Sequence, residues 1–392
     1  MSFFGRQLTI VASAFQIYLL THSSLQVGLL SLAQLGPIIA CSFIGGTLAD
    51  AMDRRKLLLI ANLVMALSSV GLAANAMAAH PQVWALYVCT AVGAGFTSID
   101  APTRSAVVPT LVRRDQIPAA AALNQTGYQF GSVAGPALAG VVIGSVSLSA
   151  AYWIDVVTFT IALMALLRLP PLLPHDGGTK AGFGSIKEGL RYARQERTVQ
   201  GVFLIDINAM VFGMPRALFP QLGTELYHGG AGTVGLLYAA PAAGAFLGAV
   251  TTGWVGSIRR QGAAVLWAVA VWGLAIAAFG LANWLPLGLL MLAVAGAADV
   301  ISAVFRGTIL QLHVPDRLRG RLQALNIAVV TGGPRVGDLE AGVVATATNA
   351  QLSVVSGGVA CLVGVGLFAK LLPELAAWRA SEDPTGTVDR LT

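Results

Sequence analysis

The chain has 392 residues, of which 56% are hydrophobic and only 11% are charged, and its formal net charge at pH 7 is +6. A soluble domain carries roughly 25% charged residues, so this composition excludes an ordinary water-soluble protein and predicts a membrane protein. The positive charges lie mostly in loops between apolar segments, which explains the net charge without nucleic acid as a partner.

Twelve apolar segments are long enough to cross a bilayer, because a helix needs about 20 apolar residues to span the hydrocarbon core. The six spans of the first half are predicted at 3–21, 25–49, 57–78, 83–105, 119–145 and 149–168. Those of the second half are predicted at 200–222, 231–256, 263–281, 285–307, 322–347 and 350–371. We therefore expect an all-α membrane protein with twelve transmembrane helices.

The expected organisation is two six-helix bundles, a polar linker and a cytoplasmic tail, at 1–168, 201–372, 169–200 and 373–392 respectively. The linker ends in SIKEGLRYARQERTVQ, where Ile186 and Leu190 alternate with basic residues. This pattern fits an amphipathic helix on the cytoplasmic membrane surface. A solvated tether is an equal alternative.

The first predicted span begins close to Met1. About 20 residues counted back from Leu20 reach Met1, and Arg6 and Gln7 fall inside that stretch. We expect the first helix to be shortened, with a segment missing ahead of it. A miscalled start, or Arg6 at the inner interface of a short span, are the alternatives.

The 24 Lys and Arg residues are concentrated in alternate loops, and only Arg6, Arg216 and Arg335 lie away from them. The loops around His22, His80, Ser147, His228, Asn283 and Asn349 contain no Lys or Arg. Basic loops face the cytoplasm in multi-pass membrane proteins. The sequence therefore predicts that both termini are cytoplasmic.

The loop after the second span reads GTLADAMDRRK from Gly46 to Lys56. It resembles the signature between helices 2 and 3 of the major facilitator superfamily, G-x-L-A-D-R-x-G-R-K. The chain differs at Ala51, where a basic residue is usual, and at Asp53, where glycine is usual. The resemblance implies the two-bundle major-facilitator fold, with a gate that holds the cytoplasmic side shut.

Asp100 and Arg104 lie at the inner end of the fourth span, one helical turn apart on one face. A carboxylate at membrane depth is costly unless it is paired. We expect Asp50 and Asp100 to take part in the cytoplasmic gate with nearby arginines. The full set of expected gate residues is Gly46, Asp50, Arg54, Arg55, Asp100 and Arg104.

The fifth span contains GSVAGPALAG, in which small residues recur at every fourth position and a proline follows Gly135. Small residues let helix backbones approach closely, and proline kinks a helix. The stretch resembles the antiporter signature of facilitator-superfamily exporters, G-x-x-x-G-P-x-x-G-G, with Ala139 in place of one glycine. The matching residues are Gly131, Gly135, Pro136 and Gly140, and the resemblance implies export.

The second half of the chain repeats the first. Residues 306–326 align with residues 104–124 without a gap. At the same offset, Gly131, Gly135 and Gly140 correspond to Gly333, Gly337 and Gly342. An apolar chain that repeats at half its length is typical of secondary transporters.

Candidates for proton coupling or substrate binding are ionisable side chains at mid-depth, namely Asp206, Asp299, Arg335, Asp338 and Glu340. The preceding Gly332, Gly333 and Pro334 are expected to break the eleventh helix, and broken helices at the midplane are typical of substrate and ion sites. A desolvated carboxylate favours its neutral form and could exchange a proton as access alternates. A static Arg335–Asp338 bridge between helices is the alternative.

Gln125 and Gln129 lie one turn apart in the fifth span. They could bind a polar substrate or a neighbouring helix, and the sequence favours neither alternative.

Nothing in the chain predicts an enzyme. The sequence has no GxxxxGK[ST] loop for ATP, its five histidines lack metal-ligand spacing, and its three cysteines are isolated in apolar runs. We expect no cofactor, no metal and a proton gradient as the energy source.

The resemblance covers nearly the whole chain and extends to THSSLQVGL at 21–29 and RALFP at 216–220. It is to the branch of the superfamily that contains drug:proton antiporters and catechol-siderophore exporters. It implies a monomeric, proton-coupled exporter of a hydrophobic or siderophore-like small molecule in the bacterial inner membrane. The alternatives are a multidrug or macrolide efflux pump, an importer of the same fold, and an inactive or non-transporting truncated paralogue.

Overall fold

The computed structural model describes residues 2–172 and 183–379. Within these ranges the chain forms helices and no strand. The expected tail lies outside the described residues from 380 onwards, as does the part of the linker at 173–182. The all-α architecture predicted from the apolar segments is therefore confirmed for the described chain.

The first half consists of α1 (Ser2–Thr21), α2 (Ser24–Ala33), α3 (Leu35–Ala51), α4 (Arg54–Met77), α5 (Val83–Leu111), α6 (Ile117–Ser145) and α7 (Leu148–Leu167). The second half consists of α8 (Phe183–Gln195), α9 (Arg197–Phe212), α10 (Phe219–Gln221), α11 (Ala231–Val250), α12 (Gln261–Leu281), α13 (Leu285–His313), α14 (Asp316–Ala347), α15 (Ala350–Leu371) and α16 (Pro373–Ala377). The second span comprises α2 and α3, which are interrupted at Gln34. The other predicted spans each correspond to one long helix, except the seventh.

Ten of the described segments are long and apolar enough to cross a membrane by length and composition. The fifth and eleventh spans, α6 and α14, are long enough but are more polar. The helix α14 begins with Asp316 and later carries Arg335, Asp338 and Glu340. These two helices occupy corresponding positions in the sequence repeat.

The seventh span differs from the prediction. It begins at Arg197 and is interrupted after Phe212, at Gly213, Met214 and Pro215, before short helical turns carry it to Leu226. A proline cannot donate its backbone nitrogen, and the residue before it is driven out of helical conformation. The interruption leaves backbone N–H groups that need partners from other helices.

The expected break in the eleventh helix was wrong. The helix α14 runs without interruption through Gly332, Gly333 and Pro334. In a bilayer the freed backbone groups would find no water, so continuing the helix around a buried proline costs less than ending it. The irregular backbone lies in the second and seventh spans instead.

We call the end of the bundle with the Lys- and Arg-rich loops the basic side, and the end with the turns at His22, Ser147, His228 and Asn349 the opposite side. Ser23, Ser147 and Asn349 cap the starts of α2, α7 and α15 there, each accepting a hydrogen bond from a backbone N–H. His22 and His228 have φ of 48° and 50°. A residue in the left-handed backbone conformation therefore follows the first span and, at the corresponding place in the second half, the seventh span. The turns thus repeat between the halves as the sequence does.

The described part of the linker is the helix α8, which packs against α9 and α14 of the second half. Glu188 forms an ion pair with Arg321, and Glu196 lies 3.5 Å from His313. Ala193, an apolar residue of α8, is buried in the core of the second bundle. The described part of the linker is therefore a helix packed on the second bundle and not a solvated tether, and its position on the membrane surface stays a prediction.

The two halves meet at the opposite side and separate towards the basic side. The helices α2 and α14 pack together, as do α6 and α11, and the close contacts involve their ends at the opposite side. By contrast, residues 121–128 of α6 are all exposed. Eight consecutive exposed residues cover two full turns, so this part of α6 is largely unpacked, although the Tyr128 ring lies 4.4 Å from that of Phe3. The space between the halves therefore opens to the basic side.

Candidate functional site

Hydrogen bonds between the halves close the opposite side. The Tyr18 hydroxyl of α1 donates to the Glu225 carboxylate at the end of the seventh span. The Ser24 hydroxyl donates to Gln221 Oε1 at 2.8 Å, and Gln221 Nε2 donates to Glu225 Oε2 at 2.8 Å. We call these four residues the closure network. None of them was predicted, because each has an ordinary side chain whose partner lies in the other half.

Asp338 of α14 also joins the two halves at the opposite side. The carboxylate is buried, with 6% of the residue exposed. It accepts from the Ser31 hydroxyl of α2 at 2.6 Å and from the backbone N–H of Ala217 at 3.0 Å. The Ala217 N–H is available because the seventh span is interrupted just before it. The predicted coupling candidate thus ties α14 to α2 and to the broken seventh span.

The static Arg335–Asp338 bridge is not formed. In the described chain, no carboxylate oxygen lies within 4 Å of the Arg335 guanidinium. Arg335 donates instead to the backbone carbonyl of Thr331, one turn earlier in α14. The rival interpretation of this pair as a structural ion pair was therefore wrong for this conformation.

Gly140 and Gly342, which correspond in the sequence repeat, make equivalent contacts between the halves. A Cβ atom on Gly140 of α6 would lie 2.7 Å from the Ala231 carbonyl oxygen of α11. A Cβ atom on Gly342 of α14 would lie 2.8 Å from the Ser24 carbonyl oxygen of α2. Both distances are too short for a side chain, so each glycine permits close contact between the halves at the opposite side.

The other repeated glycines face inside their own halves. Gly131 and Gly135 of α6 lie against Phe3 and Gln7 of α1, where Cβ atoms would be 2.8 and 2.5 Å from side-chain carbons. Gly333 of α14 lies against Met210 of α9, with 2.7 Å to its Cβ. The helix bearing the antiporter-like motif, buried Pro136 included, therefore packs on the first span, and its repeat packs on the seventh.

On the basic side, Asp100 and Arg104 of α5 form the predicted pair. Arg104 Nη2 lies 2.8 Å from Asp100 Oδ2, and Asn62 Nδ2 of α4 donates to Asp100 Oδ1 at 2.8 Å. Asn62 was missed, although a fully buried amide in an apolar helix is itself a signal for a polar partner. Gly46 and Asp50 lie in α3 with side chains outside the described part, so a network of Asp50, Arg54 and Asp100 stays a prediction.

Arg55 does not contact the Asp100 cluster. Its guanidinium donates to the Leu166 and Leu167 carbonyls at the end of α7, at 3.2 and 2.7 Å. Asp53 caps α4 and accepts from the backbone N–H groups of Arg55 and Leu172, both at 2.9 Å. The loop after the second span is thereby fastened to the end of the sixth span. Asp53, where the superfamily signature has glycine, supplies this connection.

Replacing Asp53 with Ala is expected to lower the stability of the first half by about 1 kcal/mol, the usual value of a helix N-cap. Partial burial raises the pKa of Asp53, but the Leu172 and Arg55 N–H groups and the charges of Lys56 and Arg55 outweigh burial and lower the pKa. The carboxylate is therefore ionised at neutral pH, and its contribution falls as acid protonates it. Thermal unfolding of the purified protein in detergent measures the loss. Asp53→Asn, which can still cap, is the control, and equal unfolding temperatures for Asp53→Ala and wild type would contradict the assignment.

Arg306 of α13 brings together two predicted coupling residues inside the second half. Its Nη2 atom lies 2.9 Å from Asp206 Oδ1 of α9 and 3.8 Å from Asp299 Oδ1. Nη1 donates to the Ser302 hydroxyl at 3.1 Å. Only 5% of Arg306 and 1% of Asp206 are exposed. One buried cation between two carboxylates is a set that can gain or lose a proton without leaving an isolated charge.

Arg306 was assigned from sequence to the basic loops only. A signal was present, because the repeat aligns it with Arg104, which pairs with a carboxylate in the first half. The remaining candidates have less defined surroundings. Gln125 is exposed, whereas Gln129 and Glu340 are half-buried, and in the described chain their side chains make no hydrogen bond or ion pair. Their proposed contacts with substrate stay predictions.

Comparison with known proteins identifies similar sequences along almost the whole chain. A family model described as "Transmembrane secretion effector" matches residues 1–387. The enterobactin exporter EntS of Citrobacter koseri is 31% identical over 370 residues, covering 94% of this chain and 88% of the relative. EntS of Shigella boydii is 30% identical over the same coverage.

Solved structures with similar folds are transporters of low sequence identity. A variant of the nucleoside transporter NupG matches with a TM-score of 0.79 and 12% identity, over 94% of this chain and 97% of that one. A bacterial homologue of the human lysosomal transporter Spinster, in an inward-facing and unoccupied conformation, matches with a TM-score of 0.73 and 16% identity, over 97% and 96%. At these identities the likeness concerns the fold alone.

Proposed function

Since the chain belongs to the transmembrane secretion effector family of the major facilitator superfamily, we propose that it is a proton-coupled exporter of a hydrophobic or siderophore-like small molecule. The family consists of multi-pass membrane transporters and not of enzymes. The proposed location is the bacterial inner membrane, with the basic side and both termini in the cytoplasm.

The arrangement of the two halves is the observation on which the proposal depends. The halves are closed at the opposite side by the closure network and by Gly140 and Gly342, and they are open at the basic side. If the basic side is cytoplasmic, this conformation is the one in which an exporter receives its substrate. Rocking of the halves about the central space would then present the substrate to the other side.

The buried group of Asp206, Asp299 and Arg306 supports proton coupling. A buried carboxylate is costly when its cation is removed, because nothing then compensates its negative charge. Separation of Arg306 from a carboxylate therefore favours protonation of that carboxylate. Such a group can bind a proton in one conformation and release it in the other. The proton gradient would be the energy source, and no cofactor is required.

The similarity to enterobactin exporters favours a catechol siderophore as substrate, and a lipophilic drug is the other candidate. We expect cells that express the chain to expel a catechol siderophore and to retain it when a protonophore is added. A fluorescent lipophilic dye, measured in parallel, distinguishes the two substrate classes. Efflux that persists with the protonophore would contradict proton coupling, and the absence of efflux of either compound would contradict the proposed function.

A further inference from the structure

Besides Arg306, which pairs with Asp206, three arginines lie away from the basic loops, namely Arg6, Arg216 and Arg335. A cation in the membrane-spanning part of a protein is expensive, and such residues usually pair with a carboxylate or serve transport. Arg6 lies in α1, Arg216 in the turn after the break of the seventh span, and Arg335 in α14. These are the first, seventh and eleventh spans, so the exceptions come from both halves.

The three charges are close enough to interact across the boundary between the halves. Arg335 interacts electrostatically with Arg216, with Arg6 and with Asp338. Asp338 is the one carboxylate among the groups that act on Arg335, and its two oxygens already accept hydrogen bonds from the Ser31 hydroxyl and the Ala217 N–H. The charges that act on Arg335 are thus those of two other arginines and one carboxylate.

Arg6 has charged neighbours in its own half, but none of them pairs with it. Its charge interacts with those of Asp100, Asp155 and Arg104. Asp100 is bound by Arg104 and Asn62, and Asp155 accepts from the Thr9 and Ser69 hydroxyls, each at 2.7 Å. Within the described ranges no carboxylate oxygen lies within 4 Å of the Arg6 guanidinium, and its Nε atom is buried without a partner.

Arg335 also has unused donors. A guanidinium has five N–H groups, and Arg335 uses one nitrogen for the Thr331 carbonyl while its Nε atom is buried without a partner. Two guanidinium groups, on α1 and on α14, thus have N–H donors that no acceptor of the described residues fills.

We propose that the central space between the halves binds an anion, with Arg6 and Arg335 as its ligands from the two halves. The inference rests on the proposed function and names its substrate class as acidic. Carboxylates and deprotonated catechols have the planar oxygen pairs that a guanidinium binds with two parallel hydrogen bonds.

A bound anion also favours closure of the two halves at the basic side. Closing that side removes water from Arg6 and Arg335, and the cost of desolvating two like charges opposes the movement. An acidic substrate between them supplies acceptors and the opposite charge. Because of Arg6 and Arg335, the transporter would therefore close its basic side more readily with substrate bound than when it is empty.

The test compares two probes that differ in charge, 2,3-dihydroxybenzoate and its neutral amide 2,3-dihydroxybenzamide, binding to the purified full chain in detergent at pH 7. We expect the acid to bind about tenfold more tightly than the amide, which is the effect of one charge-assisted contact. Arg6→Gln and Arg335→Gln should each remove this preference and leave amide binding unchanged. Arg335→Lys, which keeps the charge, should retain part of it.

Arg113→Gln is the matched control, because Arg113 is exposed in a basic loop and, among the described residues, forms an ion pair with Asp115 alone, at 3.2 Å. Gel filtration checks that each variant is folded. Equal affinity for the two probes, no binding of either, or an unchanged preference in both Gln variants would overturn the inference. Binding in detergent needs no proton gradient. Acid preference together with efflux that persists with the protonophore would therefore support the anion site and contradict only the proposed coupling. Acid preference without any efflux would support the anion site and contradict the proposed function.

Discussion

Asp206→Asn is expected to abolish protonophore-sensitive efflux and to lower the stability of the second half. The carboxylate is 1% exposed and lies 2.9 Å from Arg306, its nearest charged partner. Removal of one partner from a buried ion pair costs about 3–5 kcal/mol when no other countercharge is near, and the presence of Asp299 reduces that cost here. Asp299 at 3.8 Å would be the only carboxylate left within 4 Å of Arg306 among the described residues.

A double variant separates the transport role from the structural one. Asp206→Asn with Arg306→Gln removes both charges of the pair and should recover most of the lost stability. The two neutral amides can bond to each other, and Asp299, which loses its cation, can be neutralised by a proton. Efflux should remain absent in the double variant if Asp206 carries the proton. Recovery of efflux together with stability would show that the pair only holds α9 to α13.

The measurements are thermal unfolding in detergent and efflux from cells with and without a protonophore, corrected for the amount of protein in the membrane. Asp316→Asn is the control, because Asp316 also pairs with an arginine, Arg319 at 2.8 Å, but is exposed at the start of α14. Surface pairs contribute little, so this variant should behave as wild type. Normal coupling in Asp206→Asn would exclude Asp206 as the proton carrier and leave Asp299 as the candidate within this buried group.

The sequence repeat predicted more of the three-dimensional arrangement than any single motif did. The alignment of Gly140 with Gly342 does not say which helix each glycine contacts, but it predicts that the two contacts are equivalent. The two glycines do contact α11 and α2, which occupy corresponding places in the two halves. The same alignment relates Arg104 to Arg306, and each pairs with a buried aspartate. A repeated sequence preserves packing because each copy folds against equivalent neighbours.

Contacts between the halves could not be predicted, because they join residues that are distant in sequence and chemically ordinary. Tyr18 and Glu225, or Ser31 and Asp338, become partners only once the two bundles are placed against each other. The helix interruption was misplaced for a related reason. Pro334 lies in a helix packed between neighbours, whereas Pro215 follows Gly213 at a point where the freed Ala217 N–H has a carboxylate to receive it.

Gly342→Leu is expected to prevent the opposite side from closing and to reduce efflux strongly. Any Cβ at this position would lie 2.8 Å from the Ser24 carbonyl oxygen and 2.9 Å from the Leu25 Cα atom, and these backbone atoms cannot move away as a flexible side chain could. Overpacking costs about 1–3 kcal/mol, which shifts a conformational equilibrium about 5- to 150-fold. Gly140→Leu should have the same effect, because it meets the Ala231 carbonyl oxygen at 2.7 Å.

A reporter cysteine in place of Ala231 detects the change, in a chain whose native cysteines are replaced by serine. Ala231 is 6% exposed in the closed contact between α6 and α11, so a membrane-impermeant thiol reagent should label it slowly in the wild type and quickly with Gly342→Leu. Gly127→Leu is the control, because nothing lies within 4 Å of its Cβ position in the exposed part of α6. Slow labelling with both Gly342→Leu and Gly140→Leu would mean that the opposite side closes without these glycine contacts. A transporter that works by alternating access must seal one side before it opens the other. Fast labelling with normal efflux would therefore mean that export by this chain does not require closure of the opposite side.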